Sequence, residues 1–319
     1  PRPLLTRLSL TPDRAGGRLV ETADDSAGQI NQFGATNGLI AVDRAFTAGN
    51  DCLSDAAVEI DANLGEVSTS TNSLISDIGT IPDWSIADLT GALGSGEDVK
   101  IASINGHMDQ GLLLSAAGDA QGANPDPSEV EGPDVVIPSG IDGAVMFTAG
   151  CHAGFSQPYA DALRTDDWAQ AVAGGPAAVY LANTGYGYGL DQPVVGYSEE
   201  LLVSFSDLLE LDGMTVGQAA LYAKQQYFSS QLEIDPYDEK SQMQLTTYGV
   251  PMYSLTGPTA LAAPAALAAA APSQVVTATT TDPITDLEVA SVDAVIDPEN
   301  GFKLQPGAKQ TSYYLSLIH

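Results

Sequence analysis

A cysteine and a histidine follow two apolar segments of this sequence. Val145–Thr148 leads through two small residues into Cys151, and Val99–Asn105 leads through one glycine into His107. Short apolar segments of this kind predict buried strands. Because sites in open α/β sheets form at the carboxyl ends of strands, we expect Cys151 and His107 to lie near each other. A cysteine needs a base or a positive neighbour to become a thiolate near neutral pH, so the pair predicts a cysteine nucleophile with a histidine base.

The chain contains two cysteines, Cys52 and Cys151. They are too few for a disulfide framework or for a zinc site of their own, but one disulfide between them is the alternative to a free nucleophile. His152 directly follows Cys151, and adjacent side chains usually point apart. We therefore expect His152 to have a structural role rather than to act as the base.

The elements that must position these residues alternate along the chain. Strands are predicted within residues 38–46, 99–105, 145–148 and 177–182, and helices within 53–64, 85–93, 158–173, 199–211 and 215–227. Capping boxes at Ser85 and at Thr215 indicate two of the helix starts. Strands buried on both faces and separated by helices are typical of a mostly parallel sheet. The predicted fold class is therefore α/β, a three-layer sandwich with a short β-rich C-terminal segment.

Between these elements the sequence is polar. Residues 47–51 and 65–83 are predicted as loops. Residues 115–140 are rich in Gly, Pro, Asp and Asn and predict a long surface loop beside the site. A loop of this length indicates a lid or a specificity element.

Composition divides the chain into four predicted parts. Residues 1–37 are an irregular N-terminal arm, and residues 38–257 form the main domain. Residues 258–272 are almost all Ala, Pro and Leu and form a linker or strap. Residues 273–319 alternate in β fashion and are either an edge addition or the start of a truncated immunoglobulin-like domain, which would need about 100 residues when complete.

The charge excludes some partners. The 319 residues include 41 Asp and Glu against 11 Lys and Arg, for a net charge of −30. Such a surface repels nucleic acid and anionic membranes. No run of 18 apolar residues is present, so no membrane span is expected. The first residue is Pro, which favours a piece of a longer precursor with flanking domains.

Several short motifs resemble the clan CD cysteine peptidases, and in particular the gingipain-type catalytic domain of peptidase family C25. They cover roughly residues 38–255 and are, in chain order, Gly106-His107, Gly150-Cys151-His152-Ala153-Gly154, Asn183-Thr184-Gly185-Tyr186-Gly187-Tyr188-Gly189, Tyr197-Ser198-Glu199, Tyr237-Asp238-Glu239-Lys240 and Tyr248-Gly249-Val250-Pro251-Met252-Tyr253. The resemblance implies a caspase-haemoglobinase-like fold and a secreted or cell-surface endopeptidase of bacterial or archaeal origin, made as a zymogen. It implies protein or peptide substrates and no cofactor for the chemistry, with structural Ca²⁺ in some members.

The resemblance also assigns roles to residues. Cys151 becomes the nucleophile and His107 the general acid and base. An acid from an earlier loop orients the histidine, for which Asp51 is the candidate, with Asp55 and Asp109 as rivals.

Backbone N–H groups of Met108 and Cys151 are the expected oxyanion donors, and Gly150 permits the turn that such a hole requires. The family usually has His-Gly where this chain has His107 followed by Met108; Met keeps the N–H, and its side chain is expected to narrow the site. The substrate-binding loop is predicted to contain Asn183, Thr184, Gly185, Tyr186 and Gly187.

Three other functions fit the same residues. A non-catalytic peptidase-like protein could use the fold for surface assembly or adhesion. A thiol transamidase could use the same cysteine and histidine to transfer an acyl group. A calcium-binding module is favoured by the acidic composition, but no DxDxDG loop is present.

Overall fold

The computed structural model describes residues 15–256, except for 21, 77–81, 95–97, 123, 138–140, 157–166, 176 and 191–193. It also describes three short strands at 261–262, 295–297 and 301–303. The chain divides into two compact units, Pro1–Ala271 and Pro272–His319.

A six-stranded sheet lies at the centre of the first unit. Its strands, in chain order, are β2 (Arg44–Gly49), β3 (Ser70–Ile75), β4 (Val99–Asn105), β8 (Val145–Thr148), β9 (Val179–Asn183) and β11 (Leu245–Gly249). Their order across the sheet is β11-β9-β8-β4-β2-β3. All neighbouring pairs are parallel except β11 with β9, which are antiparallel.

Smaller strands form separate pairs or ladders. β1 (Leu39–Ala41) pairs in parallel with β12 (Ser254–Thr256), and β10 (Leu211–Asp212) with β13 (Leu261–Ala262). β5 (His107–Met108), β6 (Leu113–Leu114) and β7 (Val130–Glu131) form an antiparallel sheet. In the second unit, β14 (Val295–Asp297) and β15 (Gly301–Lys303) are antiparallel.

Nine α-helices are found in the described part of the chain: α1 (Ala23–Thr36), α2 (Ser54–Val67), α3 (Ile86–Leu93), α4 (Ala116–Asp119), α5 (Pro133–Val136), α6 (Trp168–Ala173), α7 (Ser198–Leu208), α8 (Val216–Ser230) and α9 (Pro236–Gln244). Short 3₁₀ turns cover Asp51–Leu53 and Pro127–Glu129. The capping boxes predicted at Ser85 and Thr215 are present. Of the helix predicted over 158–173, the described part is α6. None of the described helices is long and apolar enough to cross a membrane.

The sheet is buried on both faces, which confirms the predicted three-layer α/β sandwich. Alternate residues of one strand enter different cores: Ile101 packs in the cluster that contains α2, α7 and α8, and Ala102 packs in the cluster that contains α3 and α6. The central strands are almost wholly buried, which explains their continuous apolar sequence.

Two regions predicted as loops contain strand. Ser70–Ile75, inside the predicted 65–83 loop, is β3 at the edge of the sheet, where most of its residues are exposed and polar side chains are tolerated. Residues 47–49, predicted as loop, complete β2, whereas Leu39–Ala41 belong to a different sheet. The single strand predicted within 38–46 is thus two strands.

The N-terminal arm is not irregular throughout. Residues 1–14 lie outside the described part, but Ala23–Thr36 is helix α1, which begins at a capping box between Thr22 and Asp25. Its one buried residue is the polar Gln29, so the helix buries no apolar residue that would have marked it as part of the core.

Residues 115–140, predicted as one long loop, contain local structure in their described parts. They include α4, the 3₁₀ turn, β7 and α5. β7 pairs with β6, which in turn pairs with β5, so this excursion is joined to the segment that carries His107.

Candidate active site

Neighbouring strands carry the predicted site residues to one edge of the sheet. Asp51 follows β2, His107 follows β4, Cys151 follows β8, and the 183–189 loop follows β9. These four strands are parallel and adjacent, in the order β9-β8-β4-β2. Their carboxyl ends therefore lie at the same edge of the sheet. The sheet thereby brings to one edge residues that are as far apart in the sequence as Asp51 and Asn183, 132 positions.

Buried amides tie these strand ends together. Asn105 is fully buried, its Oδ1 accepts from Ala149 N at 3.0 Å, and its Nδ2 donates to Ala48 O at 3.2 Å. Asn183 is equally buried and its Nδ2 donates to Ala149 O at 3.1 Å. The sequence predicted that Asn183 would contact the substrate. Because Asn183 has no exposed surface, it supports the loop instead.

Met108 packs against the loop that presents Cys151. A methyl group added to Gly150 would overlap the Met108 side chain, and Met108 Sδ accepts from Thr148 Oγ1 at 3.4 Å. The N–H of Gly150 donates to the same hydroxyl at 2.9 Å. Gly150 therefore provides close packing for the loop, and its N–H is already used within it.

Both cysteines are free thiols. Cys151 is half-buried, and its Sγ donates to Gly187 O at 3.6 Å. Burial, followed by the charge of Asp51, raises the pKa of the Cys52 thiol to about 11. The disulfide alternative is thus not formed in this structure, and Cys52 is a second free thiol that can serve as a control for Cys151.

His107 is paired with Asp51, as the sequence predicted. Its Nε2 lies 3.2 Å from Asp51 Oδ2, and both side chains are close to half exposed. An ionised carboxylate only accepts hydrogen bonds, so Nε2 carries the ring proton and donates it to Asp51. Nδ1 is then the basic nitrogen of the neutral ring.

The rival acids lie elsewhere, and another acid takes a place near His107. Asp109 Oδ1 accepts from Gly111 N, and the buried Oδ2 of Asp55 has no hydrogen-bond partner among the described residues. Asp119, which the sequence analysis did not select, lies with Oδ2 3.8 Å from His107 Nε2. It belongs to α4, inside the predicted lid region.

The 183–189 loop packs closely against the Cys151 loop. Gly185 O accepts from His152 N, and a methyl group on Gly187 would overlap Ala149 O. Thr184 bonds to Gln244 O through both its N–H and its hydroxyl. Tyr186 is 59% exposed, so it is the one side chain of the predicted set that offers a broad surface to a substrate.

His152 supports this loop and does not replace His107. Its backbone adopts a left-handed conformation, with φ of 53°. Its ring packs edge-on against Tyr186, with ring centroids 4.5 Å apart. The position agrees with the structural role expected for a residue adjacent to Cys151.

Glu199 is a buried carboxylate whose role the sequence analysis did not assign. It is 1% exposed, and its Oε2 accepts from the backbone N–H groups of Leu190 and Gly196. Its Oε1 has no partner among the described residues. Burial raises the pKa of Glu199 to about 7. The side chain thereby joins α7 to the far end of the glycine-rich loop, and only its place in a resembling motif could have drawn attention to it.

Comparisons with known proteins support the fold. No protein-family model matches the sequence, and no curated protein matches it. A solved structure of a protease has a similar fold, with a TM-score of 0.54 and 9% sequence identity. The match covers 79% of this chain and 57% of that one. The chain thus has a protease-like α/β fold, and its assignment to a gingipain-type family remains a prediction.

Proposed function

We propose that this chain is a cysteine endopeptidase in which Cys151 is the nucleophile and His107 the general acid and base. The observation that supports this most is the strand order: three adjacent parallel strands end at Cys151, His107 and Asp51. A carboxylate holds His107, and the strand order brings the half-buried thiol of Cys151 to the same edge of the sheet. A cysteine served by a histidine base is the arrangement that activates a nucleophile for acyl transfer.

The chemistry proceeds in two steps. Cys151 transfers its proton to His107 Nδ1, and the thiolate attacks the scissile carbonyl to form a tetrahedral oxyanion. The C–N bond then breaks as His107 protonates the leaving amine, which leaves a thioester on Cys151. Water, deprotonated by the same imidazole, hydrolyses the thioester and restores the thiol.

Asp51 acts through His107 and not on the substrate. Its carboxylate holds the proton on Nε2, which keeps Nδ1 basic, and it stabilises the imidazolium when that forms. The N–H groups of Met108 and Cys151 are the proposed oxyanion donors. Gly150 is excluded as a donor in this conformation because its N–H is bound to Thr148.

The test compares the wild type with Cys151→Ala on a fluorogenic peptide library, with Cys52→Ala as the matched thiol control. We expect the Cys151 variant to lose at least about a thousandfold in kcat/KM and the Cys52 variant to keep its activity. Mass spectrometry of the products separates hydrolysis from transfer to an added amine. Undiminished cleavage by Cys151→Ala, or no cleavage by the wild type, would refute the proposal.

A further inference from the structure

Three potential metal ligands converge beside the proposed active site. Asp51, His107 and Asp119 each offer one ligand atom, and these atoms all lie within 4.8 Å of one another. Nε2 of the imidazole is 3.2 Å from Asp51 Oδ2 and 3.8 Å from Asp119 Oδ2. Ligand atoms around a tetrahedral zinc ion lie roughly 3.4 Å apart, so small side-chain rotations would place all three on one ion.

Backbone hydrogen bonds fix the chain segments that carry these three ligands. Asn50 N donates to Asn105 O at 3.2 Å, which ties the turn that carries Asp51 to the end of β4. His107 pairs with Leu114 across β5 and β6. One turn after Leu114, Asp119 N donates to Ser115 O, and Ser115 is fully buried. A preorganised set of ligands loses little conformational entropy when an ion binds.

The buried amide of Asn50, the residue before Asp51, lacks hydrogen-bond partners in the part of the chain that the structure describes. Asn50 is 2% exposed, and neither its Oδ1 nor its Nδ2 makes a hydrogen bond within the described residues. Its Oδ1 lies against Gly106, where an added methyl group would approach to 2.9 Å. Asn50 is thus next to Asp51 in sequence and next to the His107 segment in space. Buried polar groups normally have partners, and an ion-bound water would supply one.

We propose that Asp51, His107 and Asp119 form an inhibitory site for a zinc-like divalent cation. One imidazole nitrogen and two carboxylates match the mixed N and O ligand sets of zinc, with water at the fourth position and Asn50 as the acceptor for that water. Calcium prefers six to eight oxygen ligands and has no use for the imidazole.

The effect on the reaction, which rests on the proposed peptidase function, follows from the imidazole. A metal ion on Nε2 takes the lone pair of that nitrogen, so the ring proton must lie on Nδ1. Nδ1 then has no lone pair to accept the thiol proton, and Asp51 is no longer available to hold the ring. Zinc binding and catalysis therefore exclude each other, and removal of the ion restores the base.

The binding test uses the full-length Cys151→Ala protein, so that neither the thiol nor any activity contributes. Zinc chloride is titrated calorimetrically in a millimolar excess of calcium chloride, which saturates all-oxygen surface sites. Asp119→Asn is the test variant and Asp109→Asn the matched control, because Asp109 is exposed in the turn after His107 and lies outside the cluster. Circular dichroism without metal checks that each variant is folded.

We expect one zinc ion to bind per chain. Asp109→Asn should leave the zinc affinity unchanged, and Asp119→Asn should weaken it at least about tenfold. Equal affinities in the two variants, or no binding, would overturn the site. Peptide cleavage is measured in a separate experiment. Zinc should inhibit cleavage by the wild type, and a chelator should reverse that inhibition. If zinc binds but the wild type cleaves nothing, the peptidase proposal fails and the site stands; if the wild type cleaves but Cys151→Ala binds no zinc, the site fails alone.

Discussion

The two nitrogens of His107 have different surroundings, and this difference decides what the residue can do. Nε2 faces the carboxylates of Asp51 and Asp119, so it keeps a proton. In the proposed mechanism Nδ1 is then the nitrogen that exchanges protons with the thiol and the leaving amine. The carboxylates therefore set the tautomer on which the proposed mechanism depends.

Replacement of Asp51 by Asn tests this assignment. An amide can donate to Nε2, which would favour the opposite tautomer and remove the stabilisation of the imidazolium. We expect kcat for peptide cleavage to fall about 10–100-fold with a smaller change in KM. Steady-state kinetics of Asp109→Asn provide the control, and equal kcat values for the two variants would remove Asp51 from the mechanism.

At the residue scale, the sequence identified the site residues that directly follow predicted strands. Cys151, His107 and Asp51 each follow an apolar segment, so their position at one edge of the sheet could be anticipated. Asp119 could not, because two very short strands and a four-residue helix bring it back to His107. Glu199 is one of 41 acidic residues. Its burial distinguishes it from most of them, and the residue type alone does not show whether an acid is buried.

At the scale of elements, close backbone contact between loops determines which glycines are needed. Gly187 lies against Ala149 O, and a methyl group there would overlap it, whereas a methyl group on Gly91 in α3 meets nothing within 4 Å. We expect Gly187→Ala to lower the free energy of unfolding by about 1–3 kcal/mol. Gly91→Ala should raise it by about 0.5–1 kcal/mol. Urea denaturation measures both, and a Gly187→Ala protein as stable as Gly91→Ala would contradict the loop packing.

Glu199 connects α7 to the glycine-rich loop, and its protonation makes the stability of the protein depend on pH. Burial raises its pKa from 4.5 to about 7 in the folded protein, so between these values the folded state binds a proton that the unfolded chain releases. The free energy of unfolding therefore falls as the pH rises through this window. We expect the free energy of unfolding of Glu199→Gln to rise by roughly 2 kcal/mol relative to that of the wild type as the pH increases through this window.

Urea denaturation at a series of pH values measures that gain. Glu59→Gln, at an exposed position of α2, is the control and should follow the wild type. A difference between Glu199→Gln and wild type that stays constant with pH would show that Glu199 does not titrate in this range.

The elements that were not predicted share a physical cause. β3 has the sequence STNSLI and lies at the sheet edge, where one face is open to solvent. Helix α1 buries only Gln29 completely. β3 lacks the apolar alternation from which strands are recognised, and the buried residue of α1 is polar instead of apolar. Pairing with β2 holds β3 in place, and a capping box fixes the start of α1. The central strands and α2, α3, α7 and α8 bury apolar faces and were therefore predictable.

At the scale of the whole molecule, alternation of buried strands and helices was enough to predict the three-layer sandwich. The boundaries at 258 and 273 remain predictions, although β13 in the 258–272 segment pairs with β10. Secretion and structural calcium also remain proposals. The two compact units divide between Ala271 and Pro272.

The net charge of −30 has a consequence for stability. Repulsion among acids destabilises the compact state, and salt screens it over a Debye length of about 10 Å at 0.1 M. We expect the Tm to rise as sodium chloride is increased from low concentration, which calorimetry can measure. A Tm that falls with added salt would show that favourable ion pairs outweigh the repulsion.

The central claim is that Cys151 forms a covalent acyl intermediate. Its most direct test is intact-mass spectrometry after rapid acid quenching of the enzyme with a peptide ester, applied to wild type, Cys151→Ala and Cys52→Ala. We predict an acyl adduct on Cys151 in the wild type and in Cys52→Ala, and none in Cys151→Ala. An adduct on Cys52, or peptide cleavage that persists without any adduct on Cys151, would contradict the account.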